Sequence, residues 1–236
     1  MPSADSSTED TLDLKMPPEV LALFAEGATE EPTREAARYR GEDRATSGLL
    51  DRVASWPSAD TPGGQFRLVP VDLGRDLETI TRWMNDPAVA EFWELAGEQG
   101  VTEAHLRAQL DGDGRSAPCL GVLDGAAMSY WEIYRADLDP VARYYPARPH
   151  DTGLHLLIGG VGDRARGLGG MLLRAVSDLV LDHRPACARV IAEPDLRNTP
   201  SVAAFLAAGF RLSAEVELPG KRAALMIRDR ALRDRM

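Results

Sequence analysis

A strand-like apolar run, residues 153–158, is followed by Gly159-Gly160-Val161-Gly162-Asp163-Arg164-Ala165-Arg166-Gly167-Leu168-Gly169-Gly170 and then by a helix opening on Met171-Leu172-Leu173. Strand, glycine-rich turn and helix in that order can hold an anion, because a helix start presents N–H groups without intrahelical partners and the positive end of the dipole. Glycines let the backbone approach a phosphate and take dihedrals closed to other residues. Arg164 and Arg166 add charge that persists at any working pH. No Lys-Ser or Lys-Thr follows the glycines, so the turn is not a Walker A loop. No repeated βαβ array surrounds it, so it is not a dinucleotide fingerprint either. A plain helix-entry loop stays open as the alternative.

The elements that must position this turn follow from periodicity. Residues 66–71 read as a strand and 76–85 as a helix with Leu77, Ile80, Thr81 and Met84 on one face; 102–110 read as a helix with Thr102 as N-cap. Residues 119–123 and 128–134 form a hairpin turning at Asp124-Gly125. Then come a strand at 153–158, a helix at 169–183, a strand at 189–193, a helix at 201–208 and a closing strand pair at 211–217 and 223–228. The order predicts an α+β fold with a mixed sheet and one parallel βαβ step. On the strand 128–134 the two-residue period puts Glu132 and Tyr134 on one face, where they could line an acceptor site; Trp131 could be core or pocket wall.

The chain has 236 residues and a net charge of −10, which argues against a nucleic-acid partner. Residues 1–65 carry 13 acids and 6 bases, so the remainder is nearly neutral and local basic clusters can still hold an anion. That acidic stretch, rich in Ser, Thr, Pro and Gly, holds only short apolar pieces at 20–24 and at Leu49-Leu50. It predicts a flexible extension over 1–65, dispensable for the fold through residue 60, ahead of one domain over 66–236. No run is long and apolar enough for a membrane helix and the N-terminus lacks a secretory pattern, so a cytoplasmic location without membrane contact is expected. Cys119 and Cys187 lack metal or redox spacing and are expected to be reduced, partly buried thiols; no metal is expected.

Arg164, Gly167 and Gly169 form Arg-x-x-Gly-x-Gly, which resembles the pyrophosphate signature of the GNAT acyltransferases. Further on, a strand and then Asn198, Ser201, Phe205 and Gly209-Phe210 look like that family's second recurrent block. The resemblance covers roughly residues 66–230. It implies a central mixed sheet with helices on both faces and a splayed parallel strand pair forming a coenzyme A cleft. It further implies acetyl-CoA or another acyl-CoA as co-substrate, with Leu157, Ile158, Gly159, Arg164, Arg166, Gly167, Leu168, Gly169, Gly170, Asn198, Ser201 and Phe205 around it. Backbone N–H groups near 157–159 would polarise the thioester carbonyl. Many family members carry a tyrosine four residues before the Gly-Phe pair; Phe205 stands there instead, so the thiolate would take its proton from solvent.

Trp83-Met84-Asn85-Asp86-Pro87, Tyr130-Trp131-Glu132-Ile133-Tyr134, Gly153-Leu154-His155-Leu156, Ala192-Glu193-Pro194-Asp195 and Leu218-Pro219-Gly220-Lys221 are similar to stretches of siderophore-pathway N-acyltransferases, the group containing the aerobactin hydroxylysine acetyltransferase and the mycobactin lysine acyltransferase. This implies an acceptor that is the side-chain nitrogen of lysine or ornithine, its N-hydroxylated form or a related diamine, and it admits an acyl carrier protein as donor. In that family the residues matching His155 and Asp195 lie at the reacting end. Asp195 is the candidate base for an aminium proton, or a turn residue ahead of Asn198. His155 could orient the acceptor, share the proton, or be a satisfied strand histidine. His105, His150 and His183 are expected to be structural or on the surface. Two other functions stay open: an aminoglycoside-type amine acetyltransferase, which would need an exposed acidic floor, and a coenzyme A-binding regulatory module without turnover.

Overall fold

The computed structural model of the chain describes residues 50, 52–164 and 166–235. The apolar piece at 20–24 and the extension up to residue 49 lie outside the described residues. Strands β1 (Ala59–Thr61), β2 (Gly64–Pro70), β3 (Ser116–Leu123), β4 (Ala126–Arg135), β5 (Thr152–Ile158), β6 (Arg189–Ala192), β7 (Arg211–Leu218) and β8 (Lys221–Asp229) form one sheet in the order β1-β2-β3-β4-β5-β6-β8-β7. Helices α1 (Leu73–Met84), α2 (Pro87–Trp93) and α3 (Gln99–Leu110) lie between β2 and β3; α4 (Leu168–His183) links β5 to β6, and α5 (Thr199–Ala207) links β6 to β7. Neighbouring strands are antiparallel except β5 and β6. The α+β mixed sheet with one parallel βαβ step is therefore as expected.

Local chemistry explains most boundaries. The β3–β4 hairpin turns at Asp124 (φ 46°) and Gly125 (φ 84°), the positive pair that matches strand twist. Asp72 caps α1 by accepting Arg75 N–H, and Leu77, Ile80 and Met84 bury its inner face. Side chains alternate across β4. Trp131 and Ile133 join the core with Leu172, Leu173 and Val176 of α4, whereas Tyr130 joins Ile80, Met84 and Leu106 on the other face. Cys119 and Cys187 are free and buried, and burial pushes the Cys119 thiol up to about 12.

One helix was missed and two expectations need correction. Helix α2 was not foreseen; it is too short to show periodicity and is set by Asp86, which accepts Ala88 N–H, with Pro87 in the first turn. Thr102 is not a cap: α3 starts at Gln99, and Thr102 is fully buried inside it. The domain also begins before residue 66. Leu50 and Val53 are buried in the main core, Trp56 stacks on His183 at 5.9 Å, and β1 pairs with β2. Isolated apolar residues in a polar stretch did not reveal that packing.

The site is positioned by how β5 and β6 part. Their pairing is confined to Thr152–Val190 and Gly153–Ile191, although β5 runs on to Ile158. Beyond Gly153 that edge of β5 has no strand beside it among the described residues, and a cleft opens there.

Candidate active site

A cleft of about 630 Å³ opens at the splay between α2, β5 and the first turns of α4 and α5. Leu157, Ile158, Arg164, Gly167, Gly169, Gly170, Asn198, Ser201 and Phe205 of the expected set line it. Gly167 sits at φ 75° as the residue before α4, and no side chain caps the helix, so the first-turn N–H groups are left for a ligand. Gly170 also has a packing reason to be glycine: a Cβ there would lie 3.1 Å from Ala207 Cβ and 3.2 Å from Ala204 O, so its smallness lets α4 and α5 close on each other. The cradle fits the pyrophosphate of a coenzyme A thioester, and Asn198, Ser201 and Phe205 line the cleft beyond it.

Several of the expected residues are also held by contacts within the protein. The Arg164 guanidinium donates to Ile158 O (3.0 Å) and Gly159 O (3.0 Å) and pairs with Asp86 (2.8 Å), so it braces the end of β5 against α2. Arg166 is exposed, 3.7 Å from Asp163, and Leu168 packs against the core. Gly159 lies under the Trp83 ring and its N–H donates to Met128 O at 2.9 Å. By strand alternation Leu157 N–H points to β4 in the same way. The N–H groups directed towards the splay are those of Leu156 and Ile158, of which Ile158 lies within the expected stretch 157–159. Trp131 is corrected to core: it is fully buried, edge-on to Phe66, with Nε1 donating to Ser129 Oγ at 2.9 Å.

A second cavity of about 440 Å³ adjoins the first through Phe92, Trp93, Leu156, Asn198, Ser201 and Phe205. Its wall carries His155, Glu132, Glu193, Asp195 and Lys221. His155 is held between two carboxylates, with Nδ1 2.8 Å from Glu132 Oε2 and Nε2 2.5 Å from Glu193 Oε1. Glu132 Oε1 also meets His105 Nε2 (2.5 Å), Gln109 Nε2 (2.7 Å) and Tyr130 Oη (3.0 Å), while Tyr134 Oη donates to Glu193 Oε2 (2.7 Å). Burial opposes charge on His155, but Glu193 and Glu132 outweigh it and hold its pKa up to about 10. Burial likewise opposes charge on Glu193, and His155 overrides it, to about 2. Glu132 is held well below the usual carboxylate range against burial by His105 and His155. At neutral pH the group is therefore an imidazolium between two carboxylates, with Lys221 Nζ 3.9 Å from Glu193 as a second cation on the same wall.

Asp195 follows β6 on the same cavity. It accepts Arg197 N–H at 2.8 Å and the Arg197 guanidinium at 2.8 Å, and that guanidinium holds its pKa down. Its turn role and its access to the cavity coexist, since Arg197 itself is largely exposed. Tyr134 touches the cavity indirectly, through Glu193 and by lying 4.8 Å from the His155 ring.

Glu193, His105 and Gln109 belong to the site and were not foreseen. Glu193 is an acid ending a buried strand, which was the available signal. His105 and Gln109 are four apart, a spacing that places two polar side chains together on the inward face of α3.

Among the described residues no helix is long and apolar enough to cross a membrane. Residues 72–218 match the family profile of the acetyltransferase (GNAT) domain. The chain is 37% identical to a lysine N-acyltransferase, MbtK, of Mycolicibacterium paratuberculosis, over 81% of this chain and 87% of that protein. It is 37% identical to an N(6)-hydroxylysine O-acetyltransferase of Escherichia coli, over 66% of this chain and 49% of that protein. In structure it is similar to an uncharacterized protein of Bacillus halodurans (TM-score 0.69, 30% identity, 76% of this chain and 92% of that chain). It shares its fold with the aminoglycoside acetyltransferase AAC(6')-Ib in complex with coenzyme A (TM-score 0.64, 23% identity, 72% of this chain and 98% of that chain). The splayed β5–β6 pair, the glycine cradle at α4 and these matches agree: the chain belongs to the GNAT acyltransferase family.

Proposed function

We propose that the chain transfers an acyl group from acyl-CoA to the side-chain nitrogen of lysine, ornithine, their N-hydroxylated forms or a related diamine, the chemistry that builds hydroxamate siderophores. The observation that carries this reading is the carboxylate-lined cavity joined to the donor cleft at Leu156, Asn198, Ser201 and Phe205. The names of the lysine and hydroxylysine relatives support the same acceptor class. Acyl-CoA supplies the thioester. Leu156 and Ile158 N–H groups face the place where its carbonyl would lie, and Asp195 on the wall of the adjoining cavity receives the ammonium. Asp195 takes the aminium proton, because His155 is already charged and has no lone pair to offer. Phe205 leaves the departing thiolate without a phenol, so its proton comes from solvent.

The aminoglycoside reading is less favoured, because Glu132 and Glu193 are buried and engaged with His155 rather than spread as an exposed floor. The test is thiol release from acetyl-CoA with hydroxylysine, hydroxyornithine, hydroxycadaverine, lysine and kanamycin in parallel. Turnover confined to kanamycin overturns the proposal, as does release that no acceptor stimulates.

A further inference from the structure

Beyond His155 a third cavity, of about 590 Å³, lies under the C-terminal end of α3 and the start of β3. It shares His105, Glu132 and His155 with the acceptor cavity, so the two meet at the carboxylate-bound imidazole. The mechanism above does not use it. Its walls carry charge of both signs. Arg115 makes a forked pair with Asp113 at the rim, where both side chains are more than half exposed, and a bound carboxylate would take the place of Asp113 on the same guanidinium edge. A second Arg115 nitrogen donates to Leu138 O at 3.1 Å, and Asp139 lines the same cavity. Asp139 accepts Val141 N–H at 2.9 Å through one oxygen, and among the described residues no cation lies within ion-pair reach of it. Burial, with the Glu193 carboxylate, raises its pKa against the opposing pull of the Val141 N–H, His155 and Arg115.

A mixed pair of this kind suits neither a polyanion nor a polyamine. It matches a zwitterion, an ammonium beside a carboxylate on one carbon. We propose that this cavity is the subsite for the α-amino-acid head group of the acceptor, with the α-carboxylate on Arg115 and the α-ammonium on Asp139. The methylene arm then passes His155 and delivers the side-chain nitrogen to the splay. The assignment rests on the acceptor class proposed above. It adds that the enzyme reads the head group, and so separates an amino acid from the diamine left by its decarboxylation.

Three acceptors isolate the two contacts. Lysine has both groups, cadaverine keeps the distal ammonium without the carboxylate, and 6-aminohexanoate keeps the carboxylate without the α-ammonium. Arg115→Ala should raise KM for lysine and 6-aminohexanoate about 10- to 100-fold, as loss of a charge-assisted contact does, and leave cadaverine unchanged. Asp139→Asn should raise KM for lysine and cadaverine about 10-fold and leave 6-aminohexanoate unchanged. kcat and coenzyme A affinity should hold in both, which a general folding defect would not allow. The subsite is overturned if Arg115→Ala affects all three acceptors alike or none. It is also overturned if Lys221→Ala, in the acceptor cavity, is the variant that raises KM for the two carboxylates. Wild-type protein that acylates none of the three removes the acceptor class itself, a failure distinct from either.

Discussion

Glu193→Gln tests whether the two carboxylates set the charge of His155. Glutamine keeps the shape and can still accept from Tyr134 Oη, now at 2.7 Å, so the change removes little but charge. Unit charges with centres about 4 Å apart interact by about 4 kcal/mol at an effective dielectric of about 20. The His155 side chain is 35% exposed, and solvent screening reduces that to about 2 kcal/mol. This is roughly a 30-fold change in the protonation equilibrium of the ring. In the wild type the pKa, raised to about 10, keeps the ring charged through neutral pH; in the variant it falls towards the free imidazole. Because the folded pKa is the raised one, the stabilisation is complete below about pH 6.5 and is lost as pH rises towards about 10. Glu193→Gln should thus lower Tm most at pH 6 and flatten its decline above pH 7. The assay is an NMR titration of the His155 ring in both proteins, with Tm measured from pH 6 to 10. Coincident titration curves would refute the reasoning, because Glu193 would then not be holding the proton.

Asp195→Asn should reduce turnover about 100- to 10,000-fold with lysine and clearly less with hydroxylysine, whose hydroxylamine is already mostly neutral at pH 7, while coenzyme A affinity holds; paired pH–rate profiles check this. Gly167→Glu should weaken coenzyme A binding about 10-fold or more, since it strains a φ of 75° and sets a negative charge at the start of α4; calorimetry reads it. A chain starting at residue 62 should be less stable by about 3 to 5 kcal/mol in denaturant unfolding than one starting at residue 48, because it lacks the buried Leu50 and Val53 as well as β1. Equal stability would show that this segment does not pack.

The sheet was readable where residue pattern and local chemistry agree. The alternation of residues 128–134 and the Asp124-Gly125 turn marked the β3–β4 hairpin, and the glycines from 159 to 170 marked the entry to α4. Chemistry spread across elements was less visible. Glu132, Glu193, His105 and Gln109 come from β4, the end of β6 and α3, and become one network only when β4 and α3 face the splay. The bracing contacts of Arg164 were invisible for a similar reason: its partners Ile158 O, Gly159 O and Asp86 are a backbone edge and a residue 78 positions away. Strand alternation could have assigned the N–H groups at the splay, but only once Gly159 was known to pair with Met128.

The central claim is tested most directly by incubating the protein with acetyl-CoA and lysine and locating the acyl group on the product by tandem mass spectrometry. The expected result is a single acetyl group on the side-chain nitrogen, formed in step with coenzyme A release and lost in Asp195→Asn. Coenzyme A released without acylated amine, or acetylation on the α-nitrogen, would contradict it.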